Sequence, residues 1–131
     1  LADFYLLYAE ACLGIGDAST ATIYLNKVRT RVGLPTYPGY TFKVNGEEIT
    51  SPTLEEAIRH ERRMELAMEG HRWFDLCRWG VAYEVMTAYM ALESSEAKAE
   101  MQPFKKGVHE LLPIPNKQRQ LNPSLTQNPG Y

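Results

Sequence analysis

The sequence has few cysteines, no long apolar run and no excess of basic charge, and each shortage excludes a class of protein. Its 131 residues carry 14 Lys and Arg against 16 Asp and Glu, a formal net charge of −2. Without a basic excess to neutralise phosphates, a nucleic-acid partner is not expected. No apolar run approaches the ~20 residues that cross a bilayer, and the first residues resemble no secretion signal. We therefore expect any membrane attachment to come from outside this chain.

Catalytic and metal-binding motifs are also scarce. Cys12 and Cys77 fit no metal-ligand spacing, and the sequence leaves open whether they form one disulfide or remain two buried thiols. The run from His60 to Met64 resembles half of a zinc-protease helix, but methionine occupies the second ligand position. No Gly-rich phosphate loop or nucleophile elbow occurs. The sequence thus predicts no catalytic residue, no metal site and no cofactor.

Helical periodicity begins at the first residue, which suggests that the chain is part of a longer polypeptide. A first helix is predicted to end near Gly16, and a second to begin after an N-cap at Asp17 and to stop at Gly33. Together with Pro35, these features are typical of one tetratricopeptide unit of about 34 residues, residues 1–35. The predicted buried face of the first helix comprises Leu1, Phe4, Tyr5, Tyr8, Cys12 and Ile15.

Residues 36–52 read as a loop of turn-forming residues and aromatics. Asn45-Gly46 predicts the turn of a small β-hairpin. Tyr37 and Tyr40 are candidate ligand-binding residues, because aromatic rings on a loop can stack on sugar faces. The alternative is that they pack on neighbouring helices.

Residues 53–99 read as a group of helices, and residues 100–131 as an irregular tail. A capping box at Thr53–Glu56 begins a helix that should run to about Glu69, with its apolar side including Met64 and Met68. A short helix should follow near residues 73–80, and a longer one from Val81 to about residue 98. Prolines in the tail disfavour regular sheet and predict a segment that wraps over helices. The predicted fold class is mostly α: a tetratricopeptide-like hairpin, further helices and a Pro-rich irregular C-terminal tail.

The centre of the chain alternates arginines, carboxylates and large aromatics. If one helix continued through Gly70, oppositely charged residues would meet repeatedly at i,i+3 spacing. Such a cluster could be an active site, but its spacing fits no known catalytic arrangement, and we interpret it as a structural network. The residues assigned to this network are Arg62, Glu65, Glu69, Arg72, Trp73, Asp75 and Arg78.

Three segments resemble the SusD/RagB family of Bacteroidetes outer-membrane proteins. Residues 61–76, ERRMELAMEGHRWFDL, are similar to the family's signature helix. Residues 5–11, YLLYAEA, with residues 25–35 resemble its last tetratricopeptide-like hairpin, and residues 111–115, LLPIP, with the closing QNPGY resemble its C-terminus. Met68 and Cys77 replace an expected Phe and Arg, a departure that concerns packing.

The resemblance implies that the chain is the C-terminal part of a lipid-anchored, surface-exposed outer-membrane protein involved in polysaccharide utilisation. Such proteins are not enzymes; they bind glycans or other nutrients and deliver them to a TonB-dependent, SusC-like transporter. The family's N-terminal lipid anchor has no counterpart in this chain. No matched motif is a ligand-binding motif, so the resemblance assigns no binding residue. The alternative is a tetratricopeptide-type protein–protein adaptor, and an enzyme is a third possibility.

Overall fold

Seven short helices and one β-hairpin make up the computed structural model, which describes residues 1–131. The predicted mostly α fold class is confirmed. The chain divides into two compact units, Leu1–Arg72 and Trp73–Tyr131, so the division falls inside the segment 53–99 that the sequence analysis treated as one group. The elements are α1 Ala2–Gly14, α2 Ala18–Arg31, β1 Phe42–Val44, β2 Glu47–Ile49, α3 Leu54–Glu65, α4 Arg72–Arg78, α5 Ala82–Leu92, α6 Ser95–Glu100 and α7 Asn116–Leu121.

The first unit is built on the predicted helical hairpin. Asp17 caps α2 by accepting a hydrogen bond from the Thr20 N–H at 3.0 Å, as expected. Fully buried alanines at positions 9, 21 and 57 allow α1, α2 and α3 to approach closely around Leu25. The buried core of this unit consists of Leu6, Ala9, Cys12, Ala21, Leu25, Val28, Tyr40, Leu54, Ala57 and Ile58.

The prediction for the buried face of α1 is confirmed for Cys12, which lies in the core, and for Tyr5, which packs half-buried against it, but it is wrong for the other four residues. Leu1, Phe4 and Ile15 are 86%, 64% and 83% exposed, whereas Leu6 and Ala9 are fully buried. Asp3 and Glu10 are the only charged residues in α1, so apolar positions at three- and four-residue spacing can be traced along several of its faces. Periodicity alone therefore could not choose the face that packs against α2.

The β-hairpin predicted around Asn45-Gly46 is confirmed, and it lies between α2 and α3 in the chain. Strands β1 and β2 pair antiparallel, with Phe42 opposite Ile49, and the turn residues Asn45 and Gly46 have φ angles of +52° and +88°. Positive φ at both central residues is the requirement of a type I′ turn, which suits the twist of two antiparallel strands.

Helix α3 begins as predicted but ends earlier. The Thr53 hydroxyl accepts from the Glu56 N–H, and the Glu56 carboxylate accepts from the Thr53 N–H at 2.8 Å. The helix stops at Glu65 instead of about Glu69, because Met68 and Gly70 adopt left-handed backbone angles of +67° and +79°. Met68 is fully exposed, and Met64 is 59% exposed, so neither belongs to the buried side that the sequence predicted for them.

The second unit has a small apolar core, with Leu76 and Ala82 buried. The single helix predicted from Val81 to residue 98 is divided into α5 and α6, because the Ser94 hydroxyl caps α6 by accepting from the Ala97 N–H at 3.2 Å. The tail contains no strand, as predicted, and it packs on the helices of this unit through Phe104, which contacts the Trp73 ring edge-to-face at 6.0 Å.

The two cysteines are free thiols. Cys12 lies in the core of the first unit, and Cys77 is half-buried in the second.

Candidate functional site

Four charged side chains are almost completely buried, and we call these four, together with their ion-pair partners, the charged centre. Arg29, Glu61, Arg62 and Asp75 are each at most 5% exposed. A buried charge is costly unless it is paired and hydrogen-bonded, so the partners of these four groups determine what they do.

Arg29 is held on three sides. Its Nη1 forms an ion pair with Glu61 of α3, and its Nε donates to the Pro35 carbonyl at 2.6 Å. Its guanidinium carbon lies 3.5 Å from the centroid of the Tyr40 ring, a stacking arrangement that arginine favours. The contacts tie α2 to α3 and to the loop that follows α2.

Tyr40, one of the two sugar-stacking candidates, is buried beneath this arginine. The residue is 6% exposed, and its hydroxyl donates to the Ala57 carbonyl at 3.4 Å. Burial raises the Tyr40 pKa to about 12, with Arg29 opposing the rise and Glu61 adding to it, so the phenol is neutral at physiological pH. Because the ring face is occupied by the guanidinium, these contacts favour the packing alternative for Tyr40.

Tyr37, the second candidate, is half-buried and remains partly accessible. Its backbone is fixed by Asn26, which donates from Nδ2 to the Tyr37 carbonyl at 2.8 Å and accepts from the Tyr37 N–H at 2.7 Å. These two bonds hold the loop on α2.

The predicted network residues of the first unit lie along the C-terminal half of α3 and just beyond it. Arg62 donates from Nη1 to Oδ1 of Asp3 in α1 at 2.9 Å, and Glu65 pairs with Arg31 of α2. Glu69 lies outside the helix, with a carboxylate oxygen 3.9 Å from Nε2 of His71. A cavity of about 390 Å³ opens beside these groups and is lined by Leu1, Ala2, Asp3, Tyr5, Lys27, Val28, Arg31, Glu65, Leu66 and Glu69.

The other network residues belong to α4. Arg72 is its first residue, and the Trp73 ring packs on Phe104. In the second unit, Arg78 donates from both Nε and Nη2 to Oδ1 of the buried Asp75, each at 2.9 Å. Because α3 ends at Glu65, the continuous helical face assumed from the sequence does not form. The assignment of all seven residues to one structural network stays a prediction.

Sequence reasoning missed the most completely buried ion pair, Arg29 with Glu61. A signal for it existed. Arg29 follows Leu25 by four residues on the apolar stripe of α2, and Glu61 follows Ala57 by four on the apolar stripe of α3. A charged residue at a core position of each of two packed helices indicates a buried pair, because neither could be buried alone.

The ion pairs of the first unit neutralise the buried positive charges and connect α3 to α1 and α2. The two buried arginines, Arg29 and Arg62, each have a carboxylate partner on a different helix. No group of three or more His, Cys, Asp or Glu side chains in residues 1–131 lies close enough to hold a metal ion. None of the helices combines the length and the apolar character needed to cross a membrane.

Comparison with known proteins agrees with this architecture. The SusD family model matches residues 1–131. SusD-like protein P25 of Formosa agariphila is 34% identical over 135 residues, which is 100% of this chain and 24% of that protein. A SusD-like protein of Bacteroides ovatus is 39% identical over 82 residues, 60% of this chain and 13% of that protein.

A solved structure is similar over almost the same extent. The crystal structure of a SusD superfamily protein from Bacteroides vulgatus superposes with a TM-score of 0.71 at 28% identity, covering 99% of this chain and 26% of that one. The chain thus spans about a quarter of the length of the relative that it matches from end to end. Because the family model covers all of its residues, this chain belongs to the SusD family.

Proposed function

We propose that this chain is part of a non-enzymatic protein of the bacterial cell surface that binds a glycan or another nutrient and delivers it to a TonB-dependent, SusC-like transporter in the outer membrane. The observation that carries the proposal is the family match over residues 1–131. In this proposal, attachment to the membrane is through an N-terminal lipid anchor that is outside this chain.

The contacts of the charged centre support a scaffolding role for this part of the protein. A general acid or base must reach the proton that it transfers. Glu61 and Arg62 are each 3% exposed and engaged with Arg29 and Asp3, so they do not face an accessible substrate position. The pairs instead hold α3 against α1 and α2.

Binding without turnover is the direct test. The purified full-length protein is titrated with a panel of oligosaccharides by isothermal calorimetry, and the same mixtures are assayed for newly formed reducing ends. We expect saturable binding of at least one glycan and no increase in reducing ends. Hydrolysis of a bound glycan would contradict the non-enzymatic assignment, and binding of none of the panel would contradict the glycan as the ligand class.

Delivery to a transporter needs a separate experiment. The tagged protein is extracted with its outer membrane in mild detergent, and the co-purifying proteins are identified by mass spectrometry. We expect a TonB-dependent transporter in stoichiometric amount, and slower growth on the bound glycan when the gene is deleted. Recovery of the protein without any transporter, together with unchanged growth, would contradict the delivery role.

The contribution of Tyr37 to ligand binding can be measured with a matched control. Tyr37→Ala removes a half-buried ring of the loop, whereas Tyr89→Ala removes a 53% exposed ring in the second unit. If Tyr37 stacks on a sugar, its removal should weaken binding by about 1 kcal/mol or more, within the range for aromatic stacking on a ring, and Tyr89→Ala should leave affinity unchanged. Equal affinities for both variants would eliminate Tyr37 as a ligand-binding residue.

A further inference from the structure

Phe42 of the β1–β2 hairpin stacks on His60 of α3, and it also packs on the core beside Tyr40, with the two ring centroids 6.0 Å apart. The Phe42 ring and the His60 imidazole are nearly parallel, with centroids 3.9 Å apart and an interplanar angle of 10°. Each strand has only three residues, and a hairpin of two such strands is at most marginally stable alone. Its position therefore depends on what Phe42 contacts.

We propose that the Phe42–His60 stack holds the β1–β2 hairpin on α3 only while the imidazole is neutral, so that acidification releases the hairpin. The proposal concerns a conformational response of the protein and does not depend on which nutrient is bound.

The surroundings of His60 disfavour a positive charge. Arg29 approaches it from α2 and Arg63 lies one turn away in α3, and both are cationic. The nearby Tyr40 supplies no negative charge, because its phenol stays neutral far above physiological pH. Glu61, the neighbouring carboxylate in α3, is engaged by Arg29. Glu56, one turn before His60 in α3, is exposed, and its carboxylate accepts hydrogen bonds from the Thr53 N–H and hydroxyl.

The charged residues of the hairpin do not compensate for these arginines. Lys43, Glu47 and Glu48 are all exposed, so solvent screens them, and the hairpin contacts the imidazole through the uncharged ring of Phe42. Protonation would add some attraction between the cation and the face of the Phe42 ring. Two effects oppose this attraction. A half-buried imidazolium loses part of its hydration, and the guanidinium groups of Arg29 and Arg63 repel its positive charge.

The balance favours the neutral form. Burial is the largest cause that lowers the His60 pKa below its ordinary 6.5, and repulsion from Arg29 and Arg63 lowers it further. When the hairpin leaves α3, the imidazole regains water and its pKa rises toward 6.5. The open state therefore binds more protons than the packed state, so the stack is fully stable above pH 6.5 and weakens as the pH falls below it.

Hydrogen–deuterium exchange of the full-length protein tests this directly. Exchange is followed in peptides covering residues 41–50 at about pH 7.5 and pH 5.0, and each rate is corrected for the intrinsic pH dependence of amide exchange. We expect the corrected rate to rise at the lower pH by more than roughly two-fold. The upper bound is about 30-fold, the ratio of protonated to neutral imidazole at pH 5.0 for a group of pKa 6.5.

Two variants separate His60 from other titrating groups. His60→Phe keeps a flat ring against Phe42 but cannot be protonated, so it should exchange at the same corrected rate at both pH values. His71→Gln removes a histidine that lies outside the helix and should retain the response of the natural protein. An acid-induced increase in His60→Phe as large as in the natural protein would overturn the proposal, as would its absence from the natural protein.

A measurement on the unmodified protein covers the case in which His60→Phe does not fold. The imidazole of His60 is titrated by NMR, and the midpoint is compared with that of hairpin exchange. Both midpoints should coincide below pH 6.5, the ordinary value for histidine. A His60 midpoint at or above that value, or a hairpin transition at a different pH, would overturn the proposal.

Discussion

Removal of the Glu61 carboxylate should destabilise the protein far more than removal of an exposed carboxylate. In Glu61→Ala, Arg29 keeps its charge, because arginine is not deprotonated in proteins. Arg29 is 5% exposed, its Nε already donates a hydrogen bond to the Pro35 carbonyl, and Tyr40 covers one face of its guanidinium. Water therefore cannot easily replace the missing carboxylate. Breaking a buried pair from one side costs about 3–5 kcal/mol, and we expect a loss in this range.

The assay is urea-induced unfolding, which gives the free energy of unfolding of each variant. Glu55→Ala is the matched control, because Glu55 lies in the same helix, is paired with Arg59 at 2.5 Å and has a side chain that is 59% exposed. An exposed pair contributes at most about 1 kcal/mol, so this variant should remain close to the natural protein. Glu61→Gln keeps an acceptor for Arg29 but loses the charge, and we expect it to lie between the two alanine variants.

A double variant shows whether the loss comes from the unpaired charge. Arg29→Met with Glu61→Leu removes both charges and replaces them with apolar side chains, a change that is often neutral or stabilising in a buried site. It should therefore be more stable than Glu61→Ala alone. If Glu61→Ala costs no more than Glu55→Ala, the reasoning that the charged centre is internal scaffolding is refuted.

Three further changes test the helix cap, the core and the thiols. Thr53→Ala removes the hydroxyl that caps α3 and should lower the free energy of unfolding by about 0.5–2 kcal/mol in urea titrations; an unchanged value would contradict the capping box. Leu25→Ala opens a cavity at a fully buried position and should lower the free energy of unfolding by about 2–5 kcal/mol. Ile23→Ala, at a 53% exposed position of the same helix, should change it by no more than about 0.5 kcal/mol. Equal losses would contradict the observed face of α2. Ellman's reagent should modify Cys77 before the buried Cys12. Cys77 should still react more slowly than the amino acid cysteine in solution, because burial raises its pKa and lowers its thiolate fraction. Reaction of Cys12 first would contradict its burial.

Features that depend on neighbours in the sequence were predictable. The Asp17 cap, the capping box at Thr53 and the Asn45-Gly46 turn each require residues no more than four positions apart. Their physics is local: a side-chain oxygen satisfies a nearby amide, or a backbone angle suits a particular residue. The family resemblance likewise rested on short strings of residues, and the comparison over the whole chain confirmed it.

Element ends and buried faces were less predictable. The sequence could not show that Met68 would adopt a left-handed backbone and end the helix before Glu69, or that Ser94 would interrupt the helix after α5. In α1 the apolar residues surround the helix, so the buried face is selected by contact with α2 and α3, and neither contact is encoded within α1 itself.

The sequence by itself determined that this chain is helical, where the caps of α2 and α3 and the tight turn lie, and which family it resembles, because each of these depends on short-range order. Only the tertiary structure decided which charges meet. Arg29 and Glu61 are 32 positions apart, and Asp3 and Arg62 are 59 apart. Among many arginines and carboxylates of equal chemistry, the packing of three helices buries Arg29 together with Glu61 and buries Arg62 against Asp3. Burial is what makes an ion pair matter for the fold.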